Sequence, residues 1–284
     1  MSGRSPMWAA ARPVRWQAGA GPAAREDRVA VEEPLEVRVG GEAVVVTMRT
    51  PGAVGESLDQ QDRELAAGFL VTEGVVDGPG AILRIDPCVK AEDGNVINVH
   101  LHDGVEVGLE RLRRHVYVSS SCGVCGKASI ESVRQRFEPI REAEGEPTAR
   151  VEASVLLSLP DRLRAAQDTF EQTGGLHAAG LFDLAGEPIV VREDVGRHNA
   201  VDKVIGFAAL GGLLPLRRAV LVVSGRVSFE IVQKALAAGV PIVAAVSAPS
   251  SLAVEFAQDS GQTLAGFVRP PRMNVYTRAD RVMG

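Results

Sequence analysis

Two cysteines, Cys122 and Cys125, stand three residues apart in SSSCGVCGK, residues 119–127. Two thiols at this spacing can share a metal, close a disulfide, or take up a sulfur atom as a persulfide. Structural zinc wants four ligands, usually a second such pair or two closely spaced histidines. No second pair exists. Cys88 stands alone in an apolar run and reads as a core residue. His100, His102 and His115 precede the loop, and His177 and His198 lie far downstream without zinc spacing. No metal is therefore assigned. A disulfide exchanger would place its pair where a strand gives way to a helix. That reading stays open, because the loop lies between the β-like HVYVSSS and the helix candidate KASIESVRQRF. The serines and glycines predict an exposed, mobile loop, suited to a thiolate that must reach one partner and present its load to another. Lys127 and the following helix start would make the thiols more acidic and so more often ionised.

Further chemistry-bearing residues cluster where apolar runs end. VLVVSGRVSFE ends a strand in Ser224-Gly225-Arg226 before a helix begins near Ser228, an arrangement that attracts anions. AVSAPSSLAVE offers a weaker version at residues 247–251. REDVGRHNAVDK packs Arg192, Glu193, Asp194, Arg197, His198, Asn199, Asp202 and Lys203 between a strand and a helix, and reads as a site at a strand end. FVRPPRMN places Arg269 and Arg272 beside Pro270 and Pro271, where two guanidinium groups could clamp a diphosphate. GGLHAAG invites comparison with the zinc deaminases, whose H-x-E is followed downstream by P-C-x-x-C. Here His177 is followed by two alanines and the C-x-x-C lies upstream, so deaminase chemistry is excluded.

These residues need a scaffold. LEVRVGGEAVVVTMRTP predicts a hairpin around Gly40-Gly41, and ESLDQQDRELAAGFLVTEGVV a helix ending at Gly74. AILRIDPCVK, NVINVHLH and VEVGLERL alternate like strands, which gives an N-terminal α+β domain over residues 28–118. The cysteine loop, its helix and a polar linker occupy residues 119–150. Residues 151–284 alternate strand and helix with all-apolar strands, the pattern of a mostly parallel sheet covered on both faces. Residues 1–27, rich in Ala, Gly, Pro and Arg, read as a disordered tail and lack the apolar core of a signal peptide. A net charge of −5 argues against general nucleic-acid binding, and no apolar run approaches the length of a membrane span. Three cysteines are too few for a disulfide scaffold, so the cytoplasm is the expected compartment.

The ordered set SSSCGVCGK, GGLHAAG, EDVGRHNAVDKVIG, SGRVSFEIVQKA, AGVPIVAAVSAPSSLAVEFA and FVRPPRMNVYT resembles the FdhD family, the accessory sulfurtransferases of formate dehydrogenase. The resemblance implies a cytidine-deaminase-like α/β fold, a mixed sheet with helices on both faces, beside the smaller N-terminal α+β domain. It implies a homodimeric sulfurtransferase that accepts persulfide sulfur from a cysteine desulfurase. The sulfur would pass to the molybdenum bis(pterin guanine dinucleotide) cofactor, bound as substrate, to activate formate dehydrogenase. Cys122 and Cys125 would carry the sulfur. Phe267, Val268, Arg269, Pro270, Pro271, Arg272, Ser224, Gly225, Arg226, His177 and His198 would bind the cofactor, a site that a guanine nucleotide could also occupy. Two rival classes remain at this point: a non-catalytic, cofactor-binding or zinc-stabilised assembly factor, and a dithiol oxidoreductase.

Overall fold

The computed structural model describes residues 7–52, 60–88, 94–105, 137–141 and 149–284. The cysteine loop with Cys122 and Cys125, the predicted helix after it and the strand VEVGLERL lie outside the described residues.

Residues 7–30 differ from the predicted tail. Strand β1 (Trp8–Ala11) pairs antiparallel with β4 (Asp27–Ala30), and β2 (Val14–Gln17) pairs with β3 (Gly21–Ala24), forming a long hairpin. Its low apolar content hid what anchors it. Met7 is buried, its sulfur accepting from Thr169 Oγ1 at 3.2 Å, and the Arg28 guanidinium lies 4.1 Å over the Trp8 ring. Both are tertiary contacts that no local pattern announces.

Alternation of apolar residues then builds a four-stranded sheet, ordered β6-β5-β8-β7, from β5 (Glu33–Val39), β6 (Glu42–Arg49), β7 (Ile82–Pro87) and β8 (Val96–Leu101). The β5–β6 turn is the predicted Gly40-Gly41. Both residues have positive φ, 60° and 87°, as a tight two-residue hairpin turn of this twist requires. Helix α1 (Gln60–Thr72) covers the sheet, packing Leu65, Leu70 and Val71 on Leu35, Val37, Ile97 and Val99. Cys88 is not in this core. It is half-buried beyond the end of β7.

Strand β9 (Val151–Glu152) leads into α2 (Ala153–Ala165) and α3 (Asp168–Thr173), a predicted single helix broken at Ala166-Gln167. A hairpin of β10 (His177–Asp183) and β11 (Pro188–Asp194) follows, then α4 (Arg197–Leu210), β12 (Ala219–Val223), α5 (Phe229–Ala237), β13 (Ile242–Ala245), α6 (Ser251–Asp259), β14 (Thr263–Arg269), β15 (Arg272–Thr277) and β16 (Val282–Met283). Six of these strands form one sheet ordered β11-β10-β12-β13-β14-β15. Only β12/β13 and β13/β14 pair parallel. The other three pairings are antiparallel, so the sheet is mixed rather than mostly parallel. Burial on both faces makes parallel and antiparallel strands look alike in sequence. Residues facing one way, such as Leu181, Leu221 and Val243, pack under α4, α5 and α6. Those facing the other way, such as Phe182, Val222 and Ala244, pack under α2. This is the α/β sheet with helices on both faces.

Helix α1 also joins the two sheets, lying against α4 at backbone contact. A Cβ on Gly68 would sit 1.8 Å from the Asp202 carbonyl oxygen, and one on Gly206 1.7 Å from that of Glu64. Around this contact lie buried charges. Lys203 Nζ meets Asp194 Oδ2 at 2.7 Å, both side chains fully buried. Lys234 Nζ meets both Asp202 oxygens at 2.9 Å and Glu73 at 2.8 Å, and Glu64 takes a two-pronged contact from Arg192.

Candidate functional site

Strand directions bring most of the predicted site residues to one edge of the six-stranded sheet. Strands β11, β12, β13 and β14 end there, while β10 and β15, running oppositely, begin there. His177 opens β10. Ser224-Gly225-Arg226 follows β12, residues 246–250 follow β13, and residues 267–272 span the β14–β15 turn. Helices α4, α5 and α6 all start at this edge, so their first-turn N–H groups face it. Ser250 caps α6 by accepting from Ala253 N at 3.2 Å. The carboxyl ends of parallel strands are where open α/β sheets bind ligands.

Two groups of side chains are in contact. The first surrounds His177: Ser224 Oγ accepts from Ala178 N at 2.9 Å, and Gly225 lies against the imidazole with Arg197 behind it. Burial pushes the His177 pKa below its ordinary value and the Arg197 charge pushes it further, so the ring is neutral at neutral pH. Arg197 Nε is buried without a hydrogen-bond partner among the described residues. The second group joins α4 to α5. His198 Nε2 lies 3.3 Å from Ser228 Oγ and 3.7 Å from Glu230 Oε2. The His198 contact, with help from Ser228, holds the Glu230 carboxyl down at about 2 against the burial that would raise it.

At the far end, Arg269 and Arg272 are cross-strand partners and both exposed, with a cis Pro270-Pro271 bond between them. Phe267 has φ 52°, a left-handed conformation unusual for a large side chain, and sits in an irregular stretch of the β14–β15 register. There Phe267 is exposed and Val268 fully buried. A side chain on Gly266 would meet Pro249 Cδ at 2.8 Å, so the loop after β13 lies directly on this turn. Arg226 is exposed between the two ends. From β10 to β15 there are four strand steps of about 4.8 Å, roughly 19 Å in all, too far for one phosphate to bridge.

The charged run 192–203 is mostly not a site. Glu193 accepts from Thr169 N and Phe170 N, Asp194 and Lys203 pair, and Asn199 donates to Met48 O and Asp194. Glu193 thus ties β11 to the start of α3, Asp194, Asn199 and Lys203 tie β11 and α4 to residues 48–61, and Arg197 and His198 reach the edge. Beside His177 opens a cleft of about 550 Å³ walled by α2, α3 and residues 174–177. Its lining includes Gln167 and Phe170, which no sequence pattern singled out. They lie at a helix break whose partners are distant in the chain. No helix among the described residues is long and apolar enough to cross a membrane.

The chain is thus a mixed α/β protein whose sheet edge is lined by three helix starts and carries the exposed Arg226, Arg269 and Arg272. A model of the FdhD/NarQ family matches residues 30–283, and the chain belongs to that family. It is similar to the "Sulfur carrier protein FdhD" of Mycolicibacterium paratuberculosis, 53% identical over 91% of this chain and 93% of that protein. It is likewise similar to that of Streptomyces avermitilis, 51% identical over 91% and 90%. The crystal structure of a candidate formate dehydrogenase accessory protein from Desulfotalea psychrophila superposes with a TM-score of 0.76 at 25% identity, covering 98% of this chain and all of that one.

Proposed function

We propose that this protein is a sulfur carrier: Cys122 or Cys125 accepts persulfide sulfur from a cysteine desulfurase. The sulfur then passes to the molybdenum bis(pterin guanine dinucleotide) cofactor destined for formate dehydrogenase. The observation that carries this reading is membership of a family whose relatives, about half identical over nine-tenths of the chain, are named sulfur carriers. The cysteine pair supplies the one chemistry such a carrier needs. A thiolate attacks the terminal sulfur of the donor's persulfide, a new S–S bond forms as the old one breaks, and the donor cysteine leaves as its thiolate. No net oxidation occurs. The anionic acceptor fits the edge described above: Arg226, Arg269 and Arg272 carry formal positive charge there, and three helix starts add partial charge. The working form is a homodimer in the cytoplasm.

The test is intact-protein mass spectrometry after incubation with an active cysteine desulfurase and L-cysteine. Wild type should gain the mass of sulfur, removable by reductant, and one of Cys122→Ala and Cys125→Ala should lose it. No gain in wild type would favour the assembly-factor reading. A second prediction concerns the edge. Charge-assisted hydrogen bonds contribute about 1.5–3 kcal/mol each, so Arg269→Ala should weaken GDP binding roughly ten- to a hundredfold. Sulfur loading should be unchanged in this variant. Calorimetry showing wild-type affinity would remove Arg269 from the site.

A further inference from the structure

We propose that the N-terminal hairpin is a docking arm, which seats in an apolar, carboxylate-rimmed groove on the formate dehydrogenase that receives the cofactor. The inference rests on the sulfur-carrier reading and names the surface that holds one partner. The arm has a fixed base and a bare shaft. At the base, Met7 is buried against Thr169, Arg28 donates to Gln172 Oε1 while its guanidinium lies over Trp8, and Ala30 lies beside Gly175. These contacts hold the base on α3 and the residues just after it. Beyond them, every residue from 12 to 29 is exposed. A two-stranded ribbon alone in water is marginal at best, so a shaft that buries nothing adds nothing to the fold and points to a surface supplied by another molecule. Its register sorts its faces. Val14 opposes Ala24 and Trp16 opposes Pro22 on one face, while Arg15 opposes Ala23 on the other. Trp16 is 76% exposed and Val14 57%. A bare tryptophan beside arginines is the composition of interface hot spots.

The charges choose the kind of partner. Residues 12–28 carry four arginines against Glu26 and Asp27, in a chain of net charge −5. Arg12 reaches Glu26 at 3.7 Å with both side chains exposed, and Arg15 and Arg25 make no ion pair with any described residue. A locally cationic arm on an anionic protein is complemented by carboxylates around the partner's groove. An anionic membrane would also attract the arginines, but at about 1 kcal/mol each, and the two carboxylates and the negative body oppose it. A protein groove that encloses Trp16 and excludes water gains more. The root of the arm chooses between protein partners. Helix α3 walls the cleft beside His177, at the sheet edge that carries Arg226, Arg269 and Arg272. A protein seated on an arm rooted there is held beside that edge, where the dehydrogenase must reach to take the cofactor. The arm precedes residues 30–283, which the family model matches, so its loss should leave the sulfur chemistry intact.

The test is biolayer interferometry on immobilised formate dehydrogenase of the same organism, purified without its cofactor. Wild type is compared with Trp16→Ala and with the Arg15→Glu/Arg25→Glu double variant. All three substitutions are at exposed positions, and circular dichroism checks that the fold is kept. Trp16→Ala should weaken binding at least about tenfold, and the double variant should do the same. Wild-type affinity should fall as salt rises, and the double variant should lose most of that dependence. Sulfur loading by the desulfurase, read by mass spectrometry, should be unchanged in both. The same proteins are measured against the cysteine desulfurase and against vesicles of phosphatidylcholine and phosphatidylglycerol. The inference is overturned if both variants bind the dehydrogenase as wild type does. It is also overturned if the binding they lose is to the desulfurase, which gives the arm to the sulfur donor, or to the vesicles, which makes it a membrane anchor. Wild type that loads sulfur but does not bind the dehydrogenase overturns the inference alone. Wild type that does neither takes the sulfur-carrier reading down with it.

Discussion

Lys203→Met should destabilise the protein by about 3–5 kcal/mol, a large fraction of the roughly 5–15 kcal/mol that holds most domains folded. The ammonium is fully buried and has four acceptors: Asp194 Oδ2 at 2.7 Å, Thr50 O at 2.9 Å, Glu193 O at 3.1 Å and Gln61 Oε1 at 3.2 Å. Methionine fills the volume but strands a carboxylate that is itself fully buried. Asp194 would keep the N–H groups of Thr50 and Gly196 and the Asn199 amide, which soften the loss without replacing the charge. Adding Asp194→Asn to Lys203→Met removes the stranded charge and should recover about 1–2 kcal/mol. Urea unfolding checks both, with the slope unchanged so that the midpoint reports stability. A loss under about 1 kcal/mol would show that water or a local shift compensates Asp194, and that the pair is not what locks the loop after β6 to β11.

That lock also shows where sequence reading stops. The run REDVGRHNAVDK reads as a site at a strand end because the partners inside it, such as Asp194 for Lys203 and Asn199, do not by themselves account for its burial. The other partners lie far along the chain: Thr50 and Gln61 for Lys203, Glu64 for Arg192, Thr72 for Asp202. Hydropathy registers the polarity but not the pairing that permits burial. Locally determined features were legible. The Gly40-Gly41 hairpin, the stop of α1 at Gly74 and the strand-to-helix openings at Ser228 and Ser250 all stand where residue types place them. Because those openings define the sheet edge, His177, Ser224, Gly225, Arg226, His198 and residues 267–272 could be gathered before any coordinates. Their division into a polar cleft and a cationic turn could not, since it depends on strand order. The N-terminal hairpin escaped notice for the same reason as Gln167: Met7 and Thr169 are 162 residues apart.

Gly206→Ala should prove as damaging as the loss of Lys203, although it only adds a methyl group to a helix interior, where alanine is normally favoured by about 1 kcal/mol. The added Cβ would lie 1.7 Å from the Glu64 carbonyl oxygen and 2.5 Å from its carbon, well inside van der Waals contact. The obstacle is backbone, so no rotamer change can relieve it, and the helices must separate. Separation would pull Gly68 from the Asp202 carbonyl and loosen the Lys203–Gln61 contact between α4 and α1 and the Arg192–Glu64 contact between β11 and α1. Overpacking alone costs about 1–3 kcal/mol. With those contacts strained as well, a loss above about 3 kcal/mol is expected. Gly211→Ala at the end of the same helix is the control. Its added Cβ would be 3.2 Å from the Phe207 carbonyl and face no other helix, so its effect should stay within about 1 kcal/mol. Equal melting temperatures for the two variants would mean that α1 and α4 slide apart freely, and that the backbone contact does not set the spacing of the two sheets. A large difference would identify the α1–α4 contact as what fixes α4, and with it the placement of Arg197 and His198 at the sheet edge.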